Sequence, residues 1–324
     1  MILSSVFLSP KKIITTQKQK VEEWKKQQVN NPNGILGNDI KQYFYLNSEP
    51  DAKLTIKQLI PADSLNGDGG NVLWYKQTTR TDTNLAEATY TNLKNSYIID
   101  QDGVQHKIGK IVRTFSNLTK LSTPSSQEFA RWVLKTSWEI AMPLGDGATA
   151  LEINRNPSVG AMYLNASGVT VQDQYYDDEN NLINPVGGYY VISSLNHFKG
   201  DSDVEKASGS GVDAVALVGS SVSIQDDGSL MATVENEDTL PGAKPTNTSK
   251  DWDDANNPNF YFGAGLMHIT SQTPSLRFEN VADPSISNGG FWFTINTQIP
   301  YAPVRSEIHY HYNVFLANPK KASI

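Results

Sequence analysis

A succession of short alternating segments constrains this chain more than any other feature of its sequence. Apolar and polar residues alternate, and each run is bounded by Gly, Pro, Asn or Asp, in residues 53–59, 90–98, 107–115, 132–140 and 291–299. A period of two puts alternate side chains on opposite faces of a strand, so each run predicts a half-buried β-strand. Strands so numerous, with few helical segments between them, favour an all-β sandwich of large antiparallel sheets.

Local signals predict where this pattern turns or changes to helix. Asp102-Gly103 and Asp227-Gly228 each predict a β-hairpin, because glycine accepts the positive φ of a tight turn. Residues 11–28 predict the one convincing helix, which ends before Pro32. A short helix is also expected before Gly209.

Composition excludes several classes of function. The chain has 324 residues, enough for one large all-β domain, and no cysteine, so disulfides and thiol chemistry are excluded. No run approaches the length of a membrane helix, and residues 1–8 lack the features of a signal peptide. Residues 171–260 carry sixteen Asp or Glu against four Lys, a balance of −12, which disfavours nucleic acid as a partner. Residues 1–30 carry +4.

One segment concentrates residues suited to binding. Residues 251–270, DWDDANNPNFYFGAGLMHIT, place a tryptophan among acids and asparagines and continue into an alternating, extended run. Aromatic faces beside planar amides suit a sugar. An ordinary surface turn that feeds a core strand would also fit these residues. The candidate rings are Trp252, Tyr261, Trp138 and Trp292, of which Trp138 and Trp292 fit a core equally well, and the candidate polar partners are Asn257, Asn259, Asp253 and Gln298.

Catalytic signatures are absent from the sequence, and metal signals are diffuse. There is no nucleophile elbow and no His-Glu-x-x-His motif. Glycoside hydrolysis would need two carboxylates across a cleft, whereas Glu139 stands alone in its strand and Glu152 is followed by Asn154. His309-x-His311 could face a zinc ion, although an exposed strand explains it as well. Asx-rich loops at residues 63–68, 177–180 and 251–257 suit calcium, or are ordinary turns.

The order of several segments resembles a known family, the variable domain of streptococcal antigen I/II adhesins and glucan-binding protein C. The similarity runs from about residue 34 to residue 300. YTNLKNSY and PNFYFGAGL are its most specific parts. The segments that carry it are LNSEPDAKLTI (46–56), EATYTNLKNSYIIDQDGVQHKIGKIVRTF (87–115), NPSVGAMYL (156–164), QYYDDENNLI (174–183), VGSSVSIQDDGSLMA (218–232), NPNFYFGAGLMHIT (257–270) and FWFTINTQIP (291–300).

The resemblance implies an architecture and a place in the cell. The expected fold is a lectin-like β-supersandwich of two large antiparallel sheets with an N-terminal helix and minor helices. Residues 1–33 would end a stalk helix, residues 34–302 would form the adhesin domain, and residues 303–324 would lead to the next stalk or domain. The piece would belong to a longer protein anchored in a bacterial cell wall, as a monomeric head on a stalk.

The resemblance also implies a function without catalysis. The domain would bind a polysaccharide or glycoprotein, with the ligand held by Trp252, Asn257, Asn259, Tyr261 and Trp292. A metal reported near the pocket of family members favours calcium at Asp253 and Asp254. Two alternatives remain: a protein-binding or structural module without a sugar pocket, in which Trp252 would be buried, and a glycoside hydrolase. Some relatives bind DNA, but the net charge of −7 counts against this here.

Overall fold

The computed structural model describes residues 10–66, 69–75, 83–120, 149–236, 252–253, 257–283 and 290–302. Several sequence predictions lie outside these ranges, namely the strand over residues 132–140 with Trp138 and Glu139, the calcium ligand Asp254, and the exit segment 303–324 with His309 and His311.

The predicted N-terminal helix is confirmed as α1 (Pro10–Lys26), with two lysines in its last turn, where positive charge complements the helix dipole. The chain then turns at Asn31, whose φ is +44°. The Asn31 side-chain amide donates to the carbonyl oxygens of Ser220 (2.8 Å) and Val222 (2.7 Å), which ties the helix end to the sheets. Within the described part of the chain, no helix is both long and apolar enough to cross a membrane.

Strands dominate the rest of the described residues. Short 3-10 helices occur at Gly37–Asp39, Pro157–Val159, Lys199–Asp201 and Phe260–Gly263. The strands are β1 Phe44–Tyr45, β2 Lys53–Gln58, β3 Asp63–Asn66, β4 Gly70–Tyr75, β5 Asn84–Thr91, β6 Tyr97–Ile99, β7 Gln105–Lys107, β8 Lys110–Lys120, β9 Thr149–Asn154, β10 Ala161–Leu164, β11 Ala166–Tyr176, β12 Tyr189–Ile192, β13 Glu205–Ser210, β14 Val212–Val215, β15 Val222–Ile224, β16 Leu230–Ala232, β17 Gly265–Ile269, β18 Ser275–Asn280 and β19 Gly290–Phe293.

These strands form two large sheets and two small ones. The largest has eight strands in the order β15-β16-β13-β18-β11-β8-β5-β2, and the next has five in the order β19-β10-β9-β4-β3. The small sheets are β12-β17-β14 and β1-β6-β7. All pairings between these strands are antiparallel, as the sequence predicted.

The two large sheets pack face to face through aromatic side chains. Phe278 of β18 stacks on Phe293 of β19 with ring centroids 4.0 Å apart, and it meets Phe291 edge-on at 5.9 Å. Tyr163 of β10 lies against the other side of Phe291 at 5.9 Å. Such pairs each add about 0.5–1.5 kcal/mol beyond the area they bury. The predicted fold class, an all-β supersandwich with an N-terminal helix and minor helices, is confirmed.

The two predicted hairpins are also confirmed, whereas the helix expected before Gly209 is wrong. Gly103 and Gly228 adopt φ of +80° and +79° at the β6–β7 and β15–β16 turns. Residues 205–210 form β13, which pairs with β16 on one side and β18 on the other. A Cβ atom at Gly209 would lie 2.3 Å from the Ser275 carbonyl oxygen, so this glycine permits close strand pairing instead of ending a helix.

The tyrosine-rich run predicted over residues 90–98 is two strands joined by a tight turn. Asn92, with φ of +59°, ends the first strand. The backbone N–H groups of Lys94, Asn95 and Ser96 then all donate to the Glu49 carboxylate, at 2.7, 2.8 and 2.7 Å. Glu49 is only 1% exposed, so its charge is stabilised by these donors. The YTNLKNSY motif is therefore a carboxylate-binding turn.

A buried arginine forms an ion pair within one large sheet and a hydrogen bond to the other. The guanidinium of Arg113 donates from Nε and Nη2 to the two oxygens of Asp173, both at 2.8 Å, and from Nη1 to the carbonyl of Pro157 at 3.0 Å. Arg113 and Asp173 belong to β8 and β11 of the eight-stranded sheet, while Pro157 lies in the connection between β9 and β10 of the five-stranded sheet. The hydroxyl of Tyr175 also donates to Asp173 at 3.0 Å, which completes a fully partnered buried network.

Candidate functional site

The segment that the sequence singled out forms a tight turn and not the extended run that its alternating pattern predicted. Phe260–Gly263 is a 3-10 helix, and strand β17 begins only after it. The side-chain oxygen of Asn257 accepts a hydrogen bond from the Asn259 N–H at 2.9 Å, and its carbonyl accepts one from the Phe260 N–H at 3.0 Å. These local bonds favour a turn over a strand, which explains the difference.

Trp252 supports this turn from the protein interior. Its side chain is 1% exposed, and its indole N–H donates to the carbonyl of Asn236 at 2.9 Å. The ring covers Gly263 so closely that a Cβ atom there would lie 1.8 Å from it. The structure differs here from the prediction of a sugar-stacking ring, because the indole faces are occupied by the turn itself. Trp252 is a packing residue in this conformation.

The same turn is also held by the N-terminal helix and by two buried serines. Trp24 of α1 meets Tyr261 edge-on, with ring centroids 5.5 Å apart. The hydroxyls of Ser220 and Ser221 both donate to the Phe262 carbonyl, at 3.0 and 2.8 Å. Burial raises the pKa of Tyr261, so its hydroxyl stays protonated at neutral pH. The position of Tyr261 is therefore fixed from both sides.

Beside this turn lies a surface pocket of about 270 Å³, here named the turn pocket. It is lined by Asn257, Pro258, Phe260, Tyr261, Gln298, Ile299, Pro300, Tyr301 and Ala302. Its walls are aromatic and apolar surface with amide groups, and the described residues of the lining include neither a carboxylate nor a cation. The Gln298 side chain is exposed and has no hydrogen-bond partner among the described residues, so its amide is available to a ligand.

Of the sequence-predicted ligand residues, the structure gathers Asn257, Tyr261 and Gln298 at this pocket. Asn259 lies half-buried in the same turn but does not line the cavity. Trp292 is not part of the lining either. It lies on β19 opposite Met162, within the five-stranded sheet. The predicted ligand residues therefore lie in separate regions, the turn beside the pocket and the five-stranded sheet.

Tyr301 was missed by sequence reasoning, although it is the most accessible aromatic residue of the lining. Its side chain is 60% exposed. It follows Pro300, where the alternation of residues 291–299 has ended, so no periodic pattern assigned it to a strand or a site. The signal in the sequence that could have indicated a binding residue was an aromatic residue directly after a proline, beyond the last predicted strand.

Asp253 faces a separate, buried group of acids. It accepts a hydrogen bond from the Ser194 hydroxyl at 3.0 Å. Nearby, Glu205 accepts from the Asn196 N–H at 2.7 Å, and Asn196 Oδ1 is buried without a hydrogen-bond partner. Burial, and then the negative charges of Asp203 and Asp253, hold the pKa of Glu205 well above its usual range. Within the ranges described, no three His, Asp or Glu side chains are grouped closely enough to hold a metal by themselves.

The fold and the turn pocket define a β-sandwich domain with a small uncharged surface site. A sequence model of the family described as glucan-binding protein C matches residues 64–296, and the chain belongs to this family. The family resemblance seen in the sequence is thereby confirmed.

Solved structures with the same fold come from two bacteria. Glucan-binding protein C of Streptococcus mutans is 17% identical, with 90% of this chain and 87% of that chain covered and a TM-score of 0.60. The adhesin domain of PrgB from Enterococcus faecalis is 17% identical, with 89% and 98% covered and a TM-score of 0.59. The same domain bound to DNA is 20% identical, with 71% of each chain covered and a TM-score of 0.51.

Proposed function

We propose that this chain is an adhesin domain that binds a glycan at the turn pocket. The observation that carries the proposal is one small cavity that combines the 60% exposed ring of Tyr301, beside the largely buried Tyr261, with the amide of Gln298, which has no hydrogen-bond partner among the described residues. Ring faces suit the C–H surface of a sugar, and amides suit its hydroxyls. Membership of a family described as glucan-binding supports a carbohydrate partner.

A binding role without catalysis is part of this proposal. Hydrolysis of a glycosidic bond needs two carboxyl groups beside the scissile bond. The turn pocket has no acid among the described residues of its lining, and the Asp203 and Glu205 side chains are buried away from solvent. The Streptococcus mutans relative is described as mediating adherence, which supports display on a Gram-positive cell surface, anchored in the wall.

Calcium at Asp253 belongs to the same proposal. The donor set fits a hard cation in two respects: Asn196 Oδ1 is a buried acceptor with no partner, and Asp253 lies close enough to Glu205 to raise its pKa. A cation would offset this repulsion, with the amide oxygen of Asn196 and the Asp253 carboxylate as ligands, together with Asp254. Its chemical contribution would be to fix the segment that carries Trp252 under the turn.

A glycan array probed with the purified domain, once with calcium and once with a chelator, tests the proposal. We expect a defined sugar to bind. Gln298→Ala should reduce that binding because it removes an amide that can bond to sugar hydroxyls, and it should leave the fold intact because this amide is exposed and bonds to none of the described residues. Gln172→Ala, another exposed glutamine, is the matched control and should bind as the unmodified protein does. Binding that survives chelation would remove calcium from the proposal and retain the glycan.

The second candidate is a protein-binding or structural module, and the burial of Trp252 is the observation that favours it. This alternative requires a blank array in both conditions together with binding to a host protein or a wall protein. A single-stranded oligonucleotide belongs in the same screen because a relative was solved bound to DNA. The part of the turn pocket that the structure describes offers no cation to phosphate groups, so no oligonucleotide binding is expected there.

A further inference from the structure

A second surface pocket adjoins the turn pocket and is lined by tyrosines from distant parts of the chain. This cavity, named the tyrosine pocket, measures about 530 Å³. Its lining comprises Ile40, Lys41, Gln42, Tyr43, Tyr45, Asn47, Ile99, Thr297, Gln298, Ile299 and Tyr301. Gln298, Ile299 and Tyr301 line both pockets, so the two cavities adjoin at this segment, and together they are named the groove.

The tyrosines of this groove are held in place by the small sheet β1-β6-β7. Tyr45 and Tyr97 are directly paired across β1 and β6, and their rings stack with centroids 4.6 Å apart and an interplanar angle of 21°. The Tyr45 hydroxyl donates to the Gln42 carbonyl at 2.7 Å. Burial, and then the neighbouring Tyr97 and Tyr301 hydroxyls, raise the pKa of Tyr45. These phenol groups therefore lie close together in a fixed arrangement.

The floor of the tyrosine pocket is equally well fixed, because Gln42 is fully engaged by the backbone. Its side-chain nitrogen donates to the carbonyls of Tyr189 (2.8 Å) and Thr297 (3.1 Å), and its side-chain oxygen accepts from the Tyr189 N–H at 3.1 Å. In contrast, Tyr43 is 42% exposed, and its hydroxyl has no hydrogen-bond partner within the described ranges. A rigid floor with free aromatic groups above it is a preorganised binding surface.

The small number of charged residues in the groove indicates which kind of polymer it can bind. Among the described residues, Lys41 is the one charged residue in either lining, although the chain as a whole is acidic. A nucleic acid bound along the groove would need several cations against its phosphates, and a polyanionic glycan would need the same. An uncharged chain with many hydroxyl groups needs only ring faces and hydrogen-bonding groups, which this groove supplies.

We propose that the tyrosine pocket is a second glycan subsite, so that the groove binds an internal stretch of an uncharged polysaccharide with successive sugar units on either side of Tyr301. This inference rests on the proposed function of the turn pocket. It assigns Tyr43, Tyr45 and Tyr301 as binding residues, with Gln42 as a positioning residue. Affinity should therefore depend on the length of the sugar chain.

The test is a calorimetric titration with α-linked and β-linked glucose oligosaccharides of increasing length. For the unmodified domain, affinity should rise with length until both pockets are filled. Tyr43→Ala should lower affinity for the longer oligosaccharides about tenfold, the loss expected for an important contact, and leave that for the shortest one unchanged. Gln298→Ala should weaken both. Tyr176→Ala, a half-buried tyrosine in neither lining, is the control and should change nothing.

Three outcomes would overturn the inference, and they separate it from the proposed function. In the first, Gln298→Ala lowers the affinity, but neither the length of the oligosaccharide nor Tyr43→Ala changes it. This result would support the turn pocket and rule out the second subsite. No binding of any oligosaccharide to the folded domain removes both. Single-stranded oligonucleotide binding that is lost in Tyr43→Ala reassigns the tyrosines to nucleic acid. Thermal melts of each variant establish that the fold is intact, which the exposure of Tyr43 leads us to expect.

Discussion

At the scale of single residues, buried carboxylates organise more of this domain than its exposed charges do. Glu49 accepts three consecutive backbone N–H groups and shapes the turn of the YTNLKNSY motif, whose last residue, Tyr97, supports the tyrosine pocket. Lys94 and Asp51 form an ion pair at 2.7 Å beside it, but both side chains are mostly exposed. Exposed pairs of this kind contribute little to stability.

Glu49→Gln should therefore destabilise the domain by about 1.5–3 kcal/mol, because charge-assisted bonds are lost and an N–H donor would face N–H donors. Denaturant unfolding measures this change. Asp51→Asn, which removes the exposed pair in the same turn, should have almost no effect. Equal losses in the two variants would show that the carboxylate of Glu49 has no special role.

At the scale of elements, the 3-10 helix Phe260–Gly263 depends on a contact that no local pattern contains. Trp252 packs directly on Gly263, so the turn needs an indole on one side and the absence of a side chain on the other. This mutual dependence explains why a glycine is required at a position where φ is not positive.

Gly263→Ala should destabilise the protein by about 1–3 kcal/mol through overpacking against the ring, and Trp252→Ala by about 3–5 kcal/mol through loss of a buried aromatic side chain. In the double variant, the alanine methyl would occupy part of the space that the indole vacates. The double variant should therefore be less destabilised than the sum of the two single changes. Strict additivity in thermal or denaturant unfolding would contradict the contact.

The same scale shows what the sequence could predict and what it could not. Period-two alternation and Asp-Gly turns are local properties, and several of the strands and both hairpins follow from them. The turn pocket required the Asn257 turn to meet residues 298–302, and the tyrosine pocket required β1 to pair with β6, about fifty positions further on. Contacts at such separations leave no periodic trace, so Tyr43, Tyr45 and Tyr301 could not be grouped from the sequence.

At the scale of the whole molecule, two buried acids make stability depend on pH. Burial raises the pKa of Glu152 to about 8, and Glu152 Oε2 has no hydrogen-bond partner. Its ordinary pKa of 4.5 applies in the unfolded chain. Between these values Glu152 binds more protons in the folded state than in the unfolded state, so its contribution to stability is greatest below pH 4.5, falls as the pH rises towards about 8, and is level above it. Glu205 shifts in the same direction.

Glu152→Gln should remove the part of this dependence that comes from Glu152, at most about 1.4 kcal/mol for each pH unit in the window. The free energy of unfolding, measured at pH 5 and at pH 8, should increase for the variant relative to the unmodified protein as the pH rises. Glu179→Gln, at an exposed position, is the control. A variant whose advantage does not grow between these two pH values would show that Glu152 is already ionised in the folded protein.

Residues 37–38 and 300–302 lie side by side. The Ala302 N–H donates to the Asn38 side chain at 3.1 Å, and a Cβ atom at Gly37 would lie 1.9 Å from the Pro300 carbonyl oxygen. Tension applied between residue 37 and residue 302 would therefore act on this short junction before it acts on the sheets. Ile299 and Pro300 belong both to the junction and to the wall of the turn pocket, so the shape of the pocket would respond to tension before the sandwich did.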